Sequence, residues 1–224
     1  VSEFLDVLSE YDILGAYWLN IQMAIYAGIG SIVIGAVLAL MRISPIRSLQ
    51  WAGSTYVTLV RNTPLTIIVV FAVLVLWPQL GVEFSKDFPT NFFWLATLAL
   101  TVYHAAFMCE SFRSGVNTVP VGQAEAARAI GLGFLPAARL VILPQAFRGS
   151  IAPVGNTVIA LIKNTTVASA ASVEEISIIM GDMIRDHGNY VMPIFLTIAA
   201  GFVVIVIPVG LLMTYLSQRL AVTR

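Results

Sequence analysis

The sequence predicts an all-α integral membrane protein with five transmembrane helices, and three observations lead there. Hydrophobic residues fill 58% of the 224 positions against 11% charged, and a mean hydropathy of +0.90 exceeds what a soluble core of this size requires. Apolar runs of roughly 20 residues, enough helix to cross about 30 Å of hydrocarbon, occur near 17–41, 55–77, 92–112, 151–172 and 191–216. These runs lack the alternation of barrel strands, and a lipid-exposed backbone must satisfy its own hydrogen bonds, which leaves the helix.

Each run has features of its own. The first begins with Tyr17 and Trp18 and contains Gly28, Gly30 and Gly35, small residues that let helices approach closely, inside the chain or against a partner. The second contains Arg61 and Pro64 and ends at Trp77; the third opens on Phe92, Phe93 and Trp94 and closes near Glu110. The fourth carries Lys163 about midway, and the fifth follows Tyr190 and contains Pro193 and Pro208, which loosen helices. Aromatic residues at run ends fit the water–lipid boundary.

Charge sets the predicted orientation. Arg42 and Arg47 follow the first run, Arg113, Arg128, Arg139 and Arg148 the third, and Arg219 and Arg224 the last. The alternate segments hold Glu3, Asp6, Glu10, Asp12, Glu83, Asp87, Glu174, Glu175, Asp182 and Asp186, with only Lys86 and Arg185 as bases. The positive-inside rule then places the N-terminus outside and the C-terminus in the cytoplasm. Segment 1–12, starting at Val1, has four acids and no base, the reverse of a signal peptide. The chain reads as one domain, 1–224, without repeats or linkers, and its longest cytoplasmic loop covers about 113–150.

Several chemistries are not expected. Twelve basic against 12 acidic residues offer no basic field for nucleic acid. Cys109 is the single cysteine and sits in an apolar run, where packing is its expected role. His104 stands alone in an apolar helix and His187 in an acidic loop, neither with a partner at metal-ligand spacing. The chain has no Gly-x-Ser-x-Gly elbow for a hydrolase and no Gly-x-x-x-x-Gly-Lys-Ser/Thr loop for a nucleotide.

The long loop contains Gln123-Ala-Glu-Ala-Ala-Arg-Ala-Ile-Gly-Leu-Gly and then Val141-Ile-Leu-Pro144. Its alanines predict a helix over 123–130, with Gly122 and the Gly131/Gly133 pair punctuating its ends. Glu125 is expected in the first turn, favoured by the helix dipole, with Arg128 at i+3 able to pair with it. Pro144 is expected to limit the next helix and turn the chain back to the membrane. Too polar for lipid and too short to fold alone, this segment predicts a docking element for a soluble partner.

The spacing Glu125-Ala126-Ala127, then Gly131, then Val141-x-Leu143-Pro144 resembles the cytoplasmic loop of permease subunits in bacterial ABC importers, with Val141 in place of the usual isoleucine. Arg61-Asn-Thr-Pro64, Glu110-x-x-Arg113-x-Gly115 and Lys163-Asn-Thr-Thr166 extend the resemblance over most of the chain, to the polar amino-acid branch and the actinobacterial glutamate-uptake permeases. The resemblance implies a type I ABC importer permease fold with a cytoplasmic coupling helix in a bacterial plasma membrane. It implies, as partners, a second permease subunit of related but different sequence, two cytoplasmic ATPase subunits and an extracytoplasmic amino-acid-binding protein. ATP and magnesium then belong to the ATPase, so no cofactor and no enzymatic step is expected in this chain. Gln123, Glu125, Ala126, Ala127, Arg128, Gly131, Leu143 and Pro144 are the implied ATPase-coupling residues.

A charge within a span costs about 2.5 to 3.5 kcal/mol on insertion scales and needs a partner, a cavity or a function. Arg61, Glu110 and Lys163 qualify. Helical spacing sets Asn156, Ile159, Lys163 and Thr166 on one side. In one reading Lys163 and Arg61 line the substrate pathway and attract carboxylates, with Asn156, Asn164, Thr165 and Thr166 offering hydrogen bonds. In the other Arg61 or Lys163 pairs with Glu110, or Arg61 snorkels to phosphates. Arg113 is expected to pair with Glu110 at the end of its span. An ion-gradient-driven carrier or channel is the rival function, opposed by the absence of an inverted repeat.

Overall fold

Asp12 opens the first long helix by accepting a hydrogen bond from the Gly15 amide at 2.9 Å, an N-cap that satisfies a free donor of the first turn. The computed structural model describes residues 2–220, all of whose regular structure is helical; Val1 and Arg224 lie outside them. A short α1 (Ser2–Ser9) precedes α2 (Ile13–Ile43). Then come α3 (Arg47–Arg61), α4 (Leu65–Phe71) with a wide π-helical turn at Ala72–Leu76, and α5 (Phe88–Val116). Beyond α6 (Val121–Ala129), α7 (Phe134–Ala137) passes through a second π-turn, Ala138–Ile142, into α8 (Leu143–Asn164). A tight 3-10 stretch (Thr165–Ala171), α9 (Ile176–Asp186) and α10 (Val191–Leu220) complete the order.

Runs 17–41, 92–112 and 191–216 fall within α2, α5 and α10, the three helices among the described residues that are long and apolar enough to cross a membrane unaided. The run at 55–77 is not one rod: α3 and the α4 segment are bent by 100°. Pro64 cannot donate to the preceding turn and disfavours helical geometry at Thr63. Asn62 and Thr63 fold back to accept closure, their side chains donating to the Thr58 and Leu59 carbonyls. The run at 151–172 is the later part of α8 plus the 3-10 stretch, and Arg148, Asn156, Lys163 and Asn164 make α8 more polar than the other three.

α5 is the hub, packed by α2, α3, α4 and α8. Of its most apolar stretch 67% is buried inside the chain, against 39% for α2 and 11% for α10, so α10 is the outer helix. Lipid tails are as apolar as leucine, so close approach rather than escape from water holds α2 on α5. Gly35 permits it: a methyl there would stand 2.5 Å from Met108 Cβ and 3.0 Å from the Ala105 carbonyl. Gly30 likewise faces Thr101, so these glycines serve contacts within the chain. Tyr17 also departs from its expected boundary role, being buried with its hydroxyl donating to the Ile198 carbonyl of α10 at 2.5 Å.

Candidate functional site

α6 is built to stand clear of the bundle. Pro120 caps it, so the helix begins at Val121, earlier than expected; Gly122 lies inside it and Glu125 falls in the second turn, beyond the strongest dipole effect. Its end is closed by Gly131 at φ +86, with Leu132 donating to Ala127 and Gly131 to Arg128, a Schellman pair that satisfies the last carbonyls. Ala127 alone is buried, turned toward the α7–π-turn segment, while Gln123, Glu125, Ala126, Arg128 and Gly131 are exposed. The expected Glu125–Arg128 ion pair is not formed among the described residues. Both charges remain solvated beside exposed Val121 and Ile130, which are 72% and 79% accessible.

Pro144 does not turn the chain. It is the second residue of α8, and the helix passes it by widening into the π-turn immediately before it. The π-turn before it keeps Leu143 in helical geometry, its amide bonded to the Ala138 carbonyl. Leu143 and Pro144 are both exposed. One continuous helical path thus joins the support of α6 to the body of α8.

Glu110 gathers three guanidinium groups. Arg42 Nη1 lies 2.5 Å and Arg61 Nη1 3.5 Å from Oε1, and Arg113 Nη1 is 3.4 Å from Oε2. The cluster ties α2, α3 and α5 together and carries a surplus of positive charge. Arg42 was legible only as a loop base; its side chain is 14% exposed and makes the shortest contact. Arg61 has a second neighbour, the Phe107 ring, 5.5 Å from its guanidinium carbon.

Phe107 leads to an open depression of about 240 Å³. Tyr103, His104 and Phe107 of α5 face Asn156, Thr157, Ala160 and Asn164 of α8 across it. Closed small-molecule sites start at roughly 300 Å³, so this is the size of a partial site open to the chain's surface. Asn156 and Asn164 therefore reach one cavity; Arg61 is not part of its lining, of which it meets only the Phe107 ring. Lys163 is exposed next to Asn164, and no carboxylate comes within 4.0 Å of it among the described residues. Thr165 points the other way: it is fully buried, donating to the Ile162 carbonyl and accepting from Asn20. Thr166 donates to the Lys163 carbonyl.

His104 and Glu175 have buried partners that their own sequence neighbourhoods do not announce. His104 is 1% exposed, with Nδ1 3.0 Å from the Leu100 carbonyl and Nε2 3.2 Å from Asn164 Nδ2. Glu175, expected on an external acidic segment, is fully buried: Oε2 accepts from Asn20 and Ser177, and Oε1 has no partner among the described residues. Ser172, at φ +56, turns the chain just before it. Burial pushes the Glu175 carboxyl above its usual range, against the opposing hydrogen bonds from Asn20 and Ser177. His187 pairs with Glu10, and Tyr11 and Tyr190 donate to Asp186 and Glu3, so α1 and the α9 segment are stitched together.

Residues 31–222 match the family described as binding-protein-dependent transport system inner membrane component. The chain is 43% identical over 217 residues to the glutamate transport system permease protein GluC of Corynebacterium efficiens, covering 95% of each. It is 31% identical over 220 residues to the probable glutamine ABC transporter permease protein GlnM of Bacillus subtilis, covering 98% and 97%. A solved amino acid ABC transporter with histidines shares the fold at a TM-score of 0.82 and 23% identity, over 97% of this chain and 96% of that one. The chain belongs to the binding-protein-dependent transport system inner membrane components: it is a multi-pass ABC importer permease that works with other subunits, among them an ATPase and a binding protein, and it is not itself an enzyme.

Proposed function

We propose that the chain forms half of the translocation pathway of an ATP-driven importer whose substrate is a polar amino acid, glutamate, and that α6 couples it to the ATPase. The observation that carries this reading is α6 itself: a capped helix with one buried residue and with solvated Glu125 and Arg128. A carrier driven by an ion gradient has no use for such an element. The full-length similarity to a glutamate permease supports the substrate, and that to a glutamine permease makes glutamine the runner-up.

In this reading two ATPase subunits, holding ATP and magnesium, seat the α6 helices of this chain and of a second, related permease, and a binding protein delivers substrate at the other face. The N-terminus lies outside the plasma membrane and the C-terminus in the cytoplasm, with lipid and no nucleic acid as the remaining contact. Closure of the ATPase pair pushes α6. The unbroken path through the π-turn into α8 passes that movement to Asn156 and Asn164 in the cavity wall as a rigid-body shift. Lys163 and Arg61 supply positive charge for the two carboxylates of glutamate.

The test is uptake in proteoliposomes holding the complete transporter and its binding protein, with a panel of glutamate, glutamine, aspartate, arginine and histidine. Glutamate is expected to be taken up best, and Lys163→Ala to raise its KM about tenfold, the worth of one charge-assisted hydrogen bond. Uptake of arginine or histidine with failure of glutamate overturns the substrate. A Glu125→Cys variant that crosslinks to no ATPase subunit overturns the coupling role.

A further inference from the structure

His104 and Asn164 are brought together from positions 60 apart in sequence, and their contact has a chemical direction. The Leu100 carbonyl can only accept, so the ring nitrogen 3.0 Å from it, Nδ1, carries the proton. A neutral imidazole then has a lone pair at Nε2. A second ring proton would need a counter-ion at this depth, and no carboxylate lies within 4.0 Å of this ring among the described residues. Nε2 therefore accepts, and the group that meets it at 3.2 Å is the Asn164 NH2.

That assignment orients the rest of the amide. With Nδ2 turned to the ring, Oδ1 is the part of Asn164 left for the cavity that Asn164 lines. No side chain or backbone donor meets Oδ1 among the described residues, and it is not among the buried side-chain atoms left without a partner. A free asparagine can rotate its amide and offer a donor or an acceptor with equal ease. Asn164 cannot, because the flipped amide would set a carbonyl oxygen against the Nε2 lone pair. Tyr103 and Phe107 pack on the imidazole at 5.2 and 6.3 Å between ring centres, which holds it in place.

We propose that His104 is a positioning residue for substrate selection: it fixes Asn164 with Oδ1 toward the cavity, as an acceptor for the α-ammonium group of the transported amino acid. The inference rests on the cavity being part of the pathway. It separates two polarities in a small space, Asn164 taking the ammonium end and Lys163, the next residue along the chain, carrying the positive charge for a carboxylate. A site of cations alone would take any dicarboxylate; an oriented acceptor selects the amino acid.

The experiment measures binding of labelled glutamate, and of glutarate, which has both carboxylates and no amine, to the assembled permease–ATPase complex in nanodiscs. Wild type is expected to prefer glutamate by about tenfold, one hydrogen bond to a charged group. His104→Phe, which keeps an aromatic ring and removes the acceptor, is expected to weaken glutamate about tenfold and to leave glutarate within about twofold. His104→Leu carries the same expectation where the larger ring does not assemble, and His104→Gln, which retains an acceptor, is expected to recover part of the loss. Asn164→Ala should reproduce the loss, and His104→Phe should add nothing to it. Equal loss for both ligands, or losses that add in the double variant, overturns the positioning role while leaving the pathway reading intact. Unchanged glutamate binding in Asn164→Ala overturns both.

Discussion

Glu110→Gln tests whether one carboxylate holds three helices. The substitution keeps shape and hydrogen-bonding atoms but leaves Arg42, Arg61 and Arg113 facing one another without a counter-charge. Breaking a fully buried pair costs about 3 to 5 kcal/mol, but here the carboxylate is 31% exposed and Arg61 and Arg113 are 47% and 34% exposed. Solvent screens those two, whereas Arg42, 14% exposed and 2.5 Å away, bears most of the loss. The expected destabilisation is about 2 to 3 kcal/mol. For a chain of this size that lowers the melting temperature by roughly 5–10 °C, read by tryptophan fluorescence of the permease in nanodiscs. Adding Arg42→Gln to Glu110→Gln removes the worst-solvated cation and is expected to recover about half of the fall. A Glu110→Gln variant within about 0.5 kcal/mol of wild type, with no recovery from Arg42→Gln, would falsify the cluster's structural role.

Glu175 predicts a pH dependence. Its folded value is raised above the ordinary 4.5, so its stabilising contribution is complete below that value and is lost as pH rises through the folded one. Melting curves collected upward from pH 4.5 should fall in wild type more than in Glu175→Gln, and parallel curves refute the assignment. Two glycines predict opposite signs. Gly35→Ala must part α2 from α5 by about 1 Å to relieve a 2.5 Å contact, a cost of about 1 to 3 kcal/mol. Gly122→Ala meets nothing within 4 Å in an exposed helix and should stabilise by about 0.5 kcal/mol; thermal unfolding of the two variants in opposite directions checks both.

Much of the architecture was legible because lipid removes alternatives: an apolar run must close its own hydrogen bonds, so runs at 17–41, 92–112 and 191–216 read directly as α2, α5 and α10. The α6 segment was legible for a related reason, since helix propensity and glycine stops are local properties, although its start moved to the residue after Pro120. Glu110 with Arg113 was legible through helical spacing, and Arg61 was already a candidate partner. Pairing over distance was another matter. Nothing near His104 announces Asn164, nothing near Glu175 announces Asn20, and Arg42 read as a topological marker before α2 and α5 were packed.

Composition and periodicity therefore determined that this chain crosses a membrane as helices and carries a short polar helix between them, because those outcomes depend on each segment's own solvent and hydrogen bonds. Tertiary structure decided the 100° break after α3, the unbroken passage through Pro144, the burial of Glu175 and Thr165, and the cavity between α5 and α8. Those depend on which faces meet when helices pack, and a side chain's burial is set by whatever covers it, not by its neighbours in sequence.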